Sequence, residues 1–260
     1  MKKLIELFSL EGRTAVVTGA STGLGVEFSN VLAAAGARLA LIARREKLLE
    51  ESASRLRAEH GAEVAVFPAD LSDRDRCRAA FGAIVAELGE IDILVNNAGT
   101  APTGRAETQW PAAWDAALEV NLTASFHCSL LAAESMRRGA RGGRIINVSS
   151  IFGHLGSSLF RLSAYAASKG GIENLTRQLA IEWARDGITV NAVAPAWFPS
   201  EMTEGSLKRE GVEQRMASAN PMGRIGRRGE LETACLFLAS PASGYITGSV
   251  IPVDGGYSAW

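Results

Sequence analysis

The sequence predicts a single α/β domain spanning residues 1–260, with a doubly wound parallel sheet of about seven strands and helices on both faces. Short apolar, β-branched runs alternate with helical patterns along the chain, and no proline- or serine-rich linker separates them. A glycine-rich turn follows the first apolar run directly. A hydrophobic content of 47% in 260 residues is enough for one large core.

The apolar runs give the order of the elements. We place strands near residues 13–18, 38–43, 63–67, 91–95, 143–148, 188–193 and 249–252. Helices fill the intervals, and the two longest are predicted over about 110–137 and 163–185. Ligands of such sheets bind beyond the carboxyl ends of the strands, so polar motifs that follow strands are candidates for a binding site.

The first turn has the properties of a pyrophosphate-binding loop. Residues 18–25 (TGASTGLG) lie between the strand-like run 14–17 and the helical pattern 26–35. Glycines let the backbone approach a pyrophosphate, and the N-terminus of the next helix offers free N–H groups and a positive dipole end. The spacing is Gly-x-x-x-Gly-x-Gly and differs from the commoner Gly-x-Gly-x-x-Gly.

A second motif combines Tyr165 with Lys169. Four residues apart, the two side chains lie on one face of a predicted helix. A phenol has an ordinary pKa of about 10, and a fixed ammonium nearby lowers that value, so the pair is suited to proton transfer. Taken alone, the same spacing also fits a packed ring and a solvated amine.

Together these motifs resemble those of the short-chain dehydrogenase/reductase family, including its 3-oxoacyl reductases and gluconate 5-dehydrogenase-like members. The resemblance covers essentially the whole chain and includes Asp70, Leu71, Asn121, Ser150 and the segments 96–99, 191–195 and 253–256. It implies a Rossmann-type fold and an enzyme that interconverts a ketone and a secondary alcohol by hydride transfer. It assigns the catalytic roles to Asn121, Ser150, Tyr165 and Lys169, with Tyr165 as the acid/base.

The resemblance also implies a nicotinamide cofactor. The residues expected to bind it are Gly19, Ser21, Thr22, Gly23, Leu24, Gly25, Arg44, Arg45, Asp70, Leu71, Asn97, Ala98, Gly99, Tyr165, Lys169, Pro195, Phe198 and Ser200. NAD-binding relatives place an acidic residue at the end of the second strand, where this chain has Ala43 followed by two arginines. A guanidinium binds phosphate in a bidentate manner, so we predict NADP(H). The alternative is that both arginines are merely solvated at a helix start.

The substrate pocket is expected between the loop after Ser150 and a mobile lid over about 196–220. The candidate substrate contacts are Phe152, His154, Leu155, Phe160, Trp197 and Met202. These apolar walls favour a ketone with an apolar group, such as a 3-oxoacyl or aryl ketone. Alternatively, the side chains point into the core and His154 makes a structural hydrogen bond. Two other functions stay open: an NAD-preferring sugar-acid dehydrogenase and a non-catalytic dinucleotide-binding regulator.

Composition limits the partners. A formal net charge of -1 indicates neither a nucleic acid nor a membrane as a partner, which leaves a small carbonyl or alcohol substrate. Cys77, Cys128 and Cys235 are far apart in the sequence and accompany no histidine cluster, so we predict neither a disulfide nor a metal site. The apolar start of the chain is short and is broken by Glu6, which favours a cytoplasmic protein. The resemblance implies a homotetramer.

Overall fold

Seven parallel strands form one sheet in the computed structural model, which describes residues 6–259. The strands are β1 (Thr14–Thr18), β2 (Arg38–Ala43), β3 (Val64–Pro68), β4 (Ile93–Asn96), β5 (Gly143–Val148), β6 (Ile188–Pro195) and β7 (Val250–Val253). Their order in the sheet is β3-β2-β1-β4-β5-β6-β7. The predicted fold class is therefore confirmed, and the predicted strand bounds differ from the observed ones by two residues or fewer.

Helices connect successive strands and cover both faces of the sheet. They are α1 (Leu24–Ala34), α2 (Glu46–His60), α3 (Arg74–Leu88), α4 (Ala106–Gln109), α5 (Ala112–Leu118), α6 (Ala124–Gly139), α7 (Ser163–Trp183), α8 (Glu201–Leu207), α9 (Val212–Ser218) and α10 (Glu232–Ala239). Among the described residues, no helix is both long enough and apolar enough to cross a membrane.

The single helix predicted over about 110–137 is wrong in one respect. Between α5 and α6 the chain forms a π-helical turn, Glu119–Thr123, which contains Asn121. The Asn121 amide is held by residues outside its own helix. Its Oδ1 accepts from the Thr100 N–H at 2.8 Å, and its Nδ2 donates to the Thr100 carbonyl at 2.9 Å. π-Turns inside helices often mark functional sites, and the spacing of apolar residues does not reveal them.

Alternate residues of the central strands point to opposite faces of the sheet. In β2, Leu39 and Leu41 belong to the core beneath α1, α2 and α10, while Ala40 and Ile42 belong to the core beneath α3, α6 and α7. Strand pairing aligns Thr18 of β1 with Ile42 of β2. Because all the strands are parallel, their carboxyl ends meet at one edge, where the predicted functional residues follow them.

The three cysteines are free and buried. Cys77 on α3 and Cys128 on α6 are far apart in the sequence, but the fold brings their Sγ atoms to 3.6 Å from each other. That distance is well beyond the length of a disulfide bond, which is about 2.05 Å.

Candidate active site

A groove of about 710 Å³ runs along the carboxyl edge of the sheet. It begins beside Arg44 and Arg45 after β2, passes the glycine-rich loop after β1, and ends at Ser150, Tyr165 and Lys169. All the predicted cofactor residues line it except Gly25. A groove of this volume has room for an extended dinucleotide, with one end at the arginines and the other at Tyr165.

Gly25 lies beneath the groove, where the backbone is too crowded for a side chain. A Cβ atom at this position would stand 2.3 Å from the Gly19 carbonyl oxygen and 2.6 Å from Asn97 Nδ2. Gly19 itself has a positive φ of 65°, a conformation that glycine adopts without strain. These glycines let the loop after β1 fold tightly against the start of α1.

Asn97 holds that loop in place. Its Nδ2 donates to the carbonyl oxygens of Thr18 at 3.0 Å and Gly19 at 3.1 Å. In return, Thr18 Oγ1 accepts from the backbone N–H groups of Asn97 at 2.9 Å and Ala98 at 3.0 Å. The Asn97 side chain therefore joins the loops after β1 and β4 and shapes the groove from below.

The four predicted catalytic residues converge at the far end of the groove. Ser150 follows β5 and lines the groove together with Tyr165 of α7, and its Oγ accepts from the Phe152 N–H at 3.3 Å. Lys169 lies one turn further along α7, with Nζ 5.6 Å from the centroid of the Tyr165 ring, and it donates a hydrogen bond to the Val148 carbonyl oxygen at 2.6 Å. A Cβ atom on Gly99 would lie 3.2 Å from Asn121 Oδ1 and 3.8 Å from Lys169 Nζ, so Gly99 leaves space between those two side chains.

The expected electrostatic effect of Lys169 on Tyr165 is wrong for this arrangement. Burial raises the pKa of Tyr165, and the hydrogen bond from Ser150 is the contribution that lowers it. Burial also lowers the pKa of Lys169 to about 8. The physical reason is that Lys169 Nζ turns to the Val148 carbonyl, while removal from water disfavours the charged form of both groups.

Charged side chains meet across the opposite end of the groove. Glu201, the first residue of α8, receives hydrogen bonds from Arg45 Nη1 at 2.6 Å and Arg45 Nη2 at 2.5 Å. Thr22 Oγ1 donates to the same carboxylate at 2.7 Å. The Arg45 hydrogen bonds, followed by that of Thr22, lower the pKa of Glu201 to about 2. The ion pair was not predicted from the sequence.

Arg44 occupies a different part of the groove from Arg45. It lies near Asp70, whose pKa is lowered first by hydrogen bonds from the Ser72 hydroxyl and N–H and further by the charge of Arg44. The charges of the two neighbouring arginines therefore lie in different parts of the groove, one near Asp70 and the other at the glycine-rich loop. Arg45 contacts the glycine-rich loop, where its Nη2 lies 3.1 Å from Thr22 Oγ1.

The predicted substrate residues separate into three groups: Met202, an apolar cluster, and His154. Met202 lines the groove and is half exposed. Phe152, Leu155, Phe160 and Trp197 pack with Tyr165 in an apolar cluster that also contains Met216 and Tyr257. The rings of Trp197 and Tyr257 have centroids 4.8 Å apart. Trp197 is buried, and its Nε1 has no hydrogen-bond partner among the described residues.

His154 makes the structural hydrogen bond that the sequence left as an alternative. Its Nδ1 lies 2.9 Å from Oε1 of Glu173, a buried residue one helical turn beyond Lys169. Ser149 Oγ donates to the same oxygen at 3.1 Å. Glu173 was missed because a carboxylate on a helix usually faces solvent. Phe198 also lines the groove, but its ring packs in the core against Gly226.

The fold and the groove define a dinucleotide-binding oxidoreductase of the doubly wound α/β class. Comparison with known proteins gives the same class. A family model described as enoyl-(acyl carrier protein) reductase matches residues 19–258. Galactitol 2-dehydrogenase (L-tagatose-forming) of Cereibacter sphaeroides is 40% identical over 98% of this chain and 98% of that protein.

Two further relatives carry other substrate names. A rhamnolipid biosynthesis 3-oxoacyl-[acyl-carrier-protein] reductase of Pseudomonas aeruginosa is 36% identical over 96% of this chain and 98% of that protein. The crystal structure of a gluconate 5-dehydrogenase from Burkholderia cenocepacia, in complex with NADP and tartrate, superposes with a TM-score of 0.92. It is 34% identical and covers 99% of each chain. This chain belongs to the short-chain dehydrogenase/reductase family.

Proposed function

We propose that the protein is an NADP(H)-dependent oxidoreductase that interconverts a ketone and a secondary alcohol. The observation that carries this proposal is a single groove lined by Ser150 and Tyr165 at one end and by Arg45 and Thr22 at the other. One end has groups for proton transfer to a carbonyl oxygen, and the other end has donors for an anionic phosphate.

The groove fits the proposed cofactor. The crowded backbone around Gly19 and Gly25 lets a pyrophosphate approach the N-terminus of α1. Lys169 is assigned to the hydroxyls of the nicotinamide ribose, Asp70 and Leu71 to the adenine, and Pro195, Phe198 and Ser200 to the nicotinamide. When bound, NADP(H) supplies or accepts the hydride.

The protein's own residues supply the proton chemistry. In the reducing direction, Ser150 donates a hydrogen bond to the substrate carbonyl, and the Tyr165 hydroxyl gives its proton to the same oxygen. At neutral pH the phenol holds its proton, because its ordinary pKa is about 10 and burial raises that pKa further. Both amide hydrogens of Asn121 are used by Thr100 and Ser168, so we assign Asn121 the role of positioning the wall beside Lys169.

Cofactor preference is proposed from the end of β2. Ala43 offers no carboxylate to a ribose 2′-hydroxyl, and Arg44 and Arg45 line the groove after it. Three relatives support the choice, because a gluconate 5-dehydrogenase and two putative dehydrogenases of this family were crystallised with NADP bound.

Exchange of charge at this position is expected to reverse the preference. In Ala43→Asp/Arg44→Ser, the new carboxylate repels a 2′-phosphate and accepts from a 2′-hydroxyl, so the NADPH/NADH ratio of kcat/KM is expected to fall about 10- to 100-fold. Steady-state kinetics with both cofactors measures the ratio. Lys47→Ser is the matched control, because it removes a nearby exposed charge that does not line the groove. A wild-type preference for NADH contradicts the assignment.

The substrate is proposed to be a ketone with an apolar group, such as a 3-oxoacyl or aryl ketone. The support is the apolar cluster of Phe152, Leu155, Phe160 and Trp197, which surrounds the Tyr165 ring. Residues 196–220, which contain α8 and α9, are proposed as the lid over this pocket. A second candidate, a polyol or sugar-acid dehydrogenase, is favoured by the names of the galactitol and gluconate relatives.

A substrate panel separates these candidates. We expect kcat/KM with NADPH to be at least about tenfold higher for a β-keto ester or an aryl ketone than for a keto-gluconate, because buried apolar area adds about 25 cal/mol per Å². A higher value for the keto-gluconate, or for a polyol in the oxidising direction, identifies the second candidate. Binding of NADPH without turnover of any member of the panel identifies a non-catalytic regulator.

We also propose a homotetramer in the cytoplasm. The proposed subunit contact includes the segments 231–238 and 245–251, in which Tyr245 is fully exposed while Leu231 and Leu238 are buried within the chain itself. Phe126 and Leu130 on α6 are further exposed apolar side chains that support the proposed contact.

A further inference from the structure

The ion pair between Glu201 and Arg45 spans the groove between two distant parts of the chain. Arg45 follows β2, whereas Glu201 begins α8 in the proposed lid. A second close approach lies beside the pair, since a Cβ atom on Gly23 would stand 3.3 Å from the Cβ of Ser200. The first turn of α8 therefore lies directly against the glycine-rich loop.

The carboxylate of Glu201 marks a place where the protein binds an anion. Three hydrogens point to its two oxygens, two from the planar fork of Arg45 and one from the Thr22 hydroxyl. Ser21 Oγ lies 3.5 Å from Arg45 Nη2 at the edge of the same donor set. A phosphate monoester accepts from a guanidinium fork and hydroxyls in the same way.

Phosphate and carboxylate compete for these donors. A guanidinium fork that is occupied on both nitrogens by Glu201 is not available to a phosphate, and two anions at one site repel each other. A ribose 2′-hydroxyl is neutral and can accept a hydrogen bond from Thr22 or donate one to Glu201 without breaking the ion pair. The ion pair must therefore be broken for NADP(H) to bind, which weakens its binding, whereas NAD(H) binds without breaking it.

We propose that Glu201 is a specificity-determining residue for the cofactor, which occupies the 2′-phosphate site from the lid and thereby weakens the preference for NADP(H) over NAD(H). The inference rests on the proposed NADP(H) function and adds to it. It predicts that the protein also admits NAD(H), although two arginines follow β2. It also couples the cofactor to α8, because a bound 2′-phosphate releases the first turn of that helix from Arg45.

The test measures binding of adenosine nucleotide fragments by calorimetry, without catalysis. The two probes are 2′,5′-ADP and 5′-ADP, which differ only in the 2′-phosphate. Glu201→Gln keeps the size of the side chain and removes its charge, so it is expected to tighten 2′,5′-ADP binding about two- to fivefold, the range for an exposed ion pair. Binding of 5′-ADP is expected to stay unchanged.

Glu204→Gln is the matched control. Glu204 lies on the same helix with the same charge, but its carboxylate pairs with Lys208 Nζ at 2.6 Å. Glu204→Gln changes the net charge by the same amount as Glu201→Gln. It is expected to leave the ratio of the 2′,5′-ADP and 5′-ADP affinities at the wild-type value. In an Arg45→Gln background, Glu201→Gln is expected to leave the 2′,5′-ADP affinity unchanged, because the arginine that the carboxylate occupied is gone.

The outcomes separate this proposal from the cofactor proposal. Equal tightening of both fragments in Glu201→Gln, or the same change in Glu204→Gln, overturns the role of Glu201. A wild-type protein that binds 5′-ADP as tightly as 2′,5′-ADP contradicts the NADP(H) assignment instead. In that case Glu201→Gln still decides the present proposal, which stands if the variant gains discrimination for the 2′-phosphate and falls if it does not.

Discussion

Replacement of Tyr165 with phenylalanine is expected to lower kcat about 10²- to 10⁴-fold while the NADPH dissociation constant stays within about twofold. The variant loses the proton that the mechanism delivers to the carbonyl oxygen, and it keeps the aromatic ring. That ring packs in the apolar cluster with Trp197 and Phe152. Steady-state kinetics and fluorescence titration with NADPH measure the two quantities separately.

Tyr257→Phe is the matched control for this change. Tyr257 lies in the same cluster, with its ring centroid 4.8 Å from that of Trp197. The control also removes one tyrosine hydroxyl group, but it leaves the proposed proton donor in place. Its kcat is expected to stay near the wild-type value. Substantial turnover by Tyr165→Phe, or an equal loss in both variants, contradicts the assignment of Tyr165 as the acid.

Local patterns in the sequence predicted the sheet well. Each strand coincides with a short, mostly apolar run, and parallel strands are buried on both faces, as in β6, where all residues from Ile188 to Pro195 are buried and only Thr189 and Asn191 are polar. The helix around Asn121 was harder to predict. Its apolar pattern continues from α5 into α6, but the Asn121 amide binds the backbone of Thr100, and an extra residue is accommodated in a π-turn.

Motif spacing also located most of the groove, since each motif directly follows a strand end. It did not reveal contacts between distant residues. Arg45 and Glu201 are 156 positions apart, and neither has a local pattern that indicates the other. The same holds for His154 and Glu173, which meet only when the loop after β5 packs against α7. Contacts of this kind depend on tertiary packing, which spacing along the chain does not encode.

Burial explains why the electrostatics of the Tyr165–Lys169 pair were mispredicted. Spacing along α7 correctly placed the two side chains on one face, but it carries no information on how far water is excluded from them. The structure buries Lys169 almost completely, and this lowers its pKa from 10.5 to about 8. A buried ammonium has a cost in stability, and that cost can be measured.

Lys169→Met is expected to stabilise the protein at pH 7 while it abolishes most of the activity. Below pH 8 the lysine is charged in both the folded and the unfolded chain, so the folded state bears the full cost of burial, about 3 kcal/mol for the pKa difference. Methionine avoids this cost but leaves the Val148 carbonyl without its hydrogen-bond donor, and that loss cancels about 1 kcal/mol of the gain in stability. The net expected gain is about 1 to 3 kcal/mol in the free energy of unfolding.

The pH dependence distinguishes charge burial from ordinary repacking. Between pH 8 and 10.5 the folded wild type releases the Lys169 proton before the unfolded chain does, so its stability rises with pH relative to the variant. Urea denaturation at pH 7, 8 and 9 is therefore expected to show a gap that is largest at pH 7 and narrows above pH 8. Lys208→Met, at an exposed lysine, should show no such gap. A Lys169→Met variant less stable than wild type at pH 7 would mean that the ammonium is held by favourable contacts, and Lys169 would then support the fold as well as the proposed chemistry.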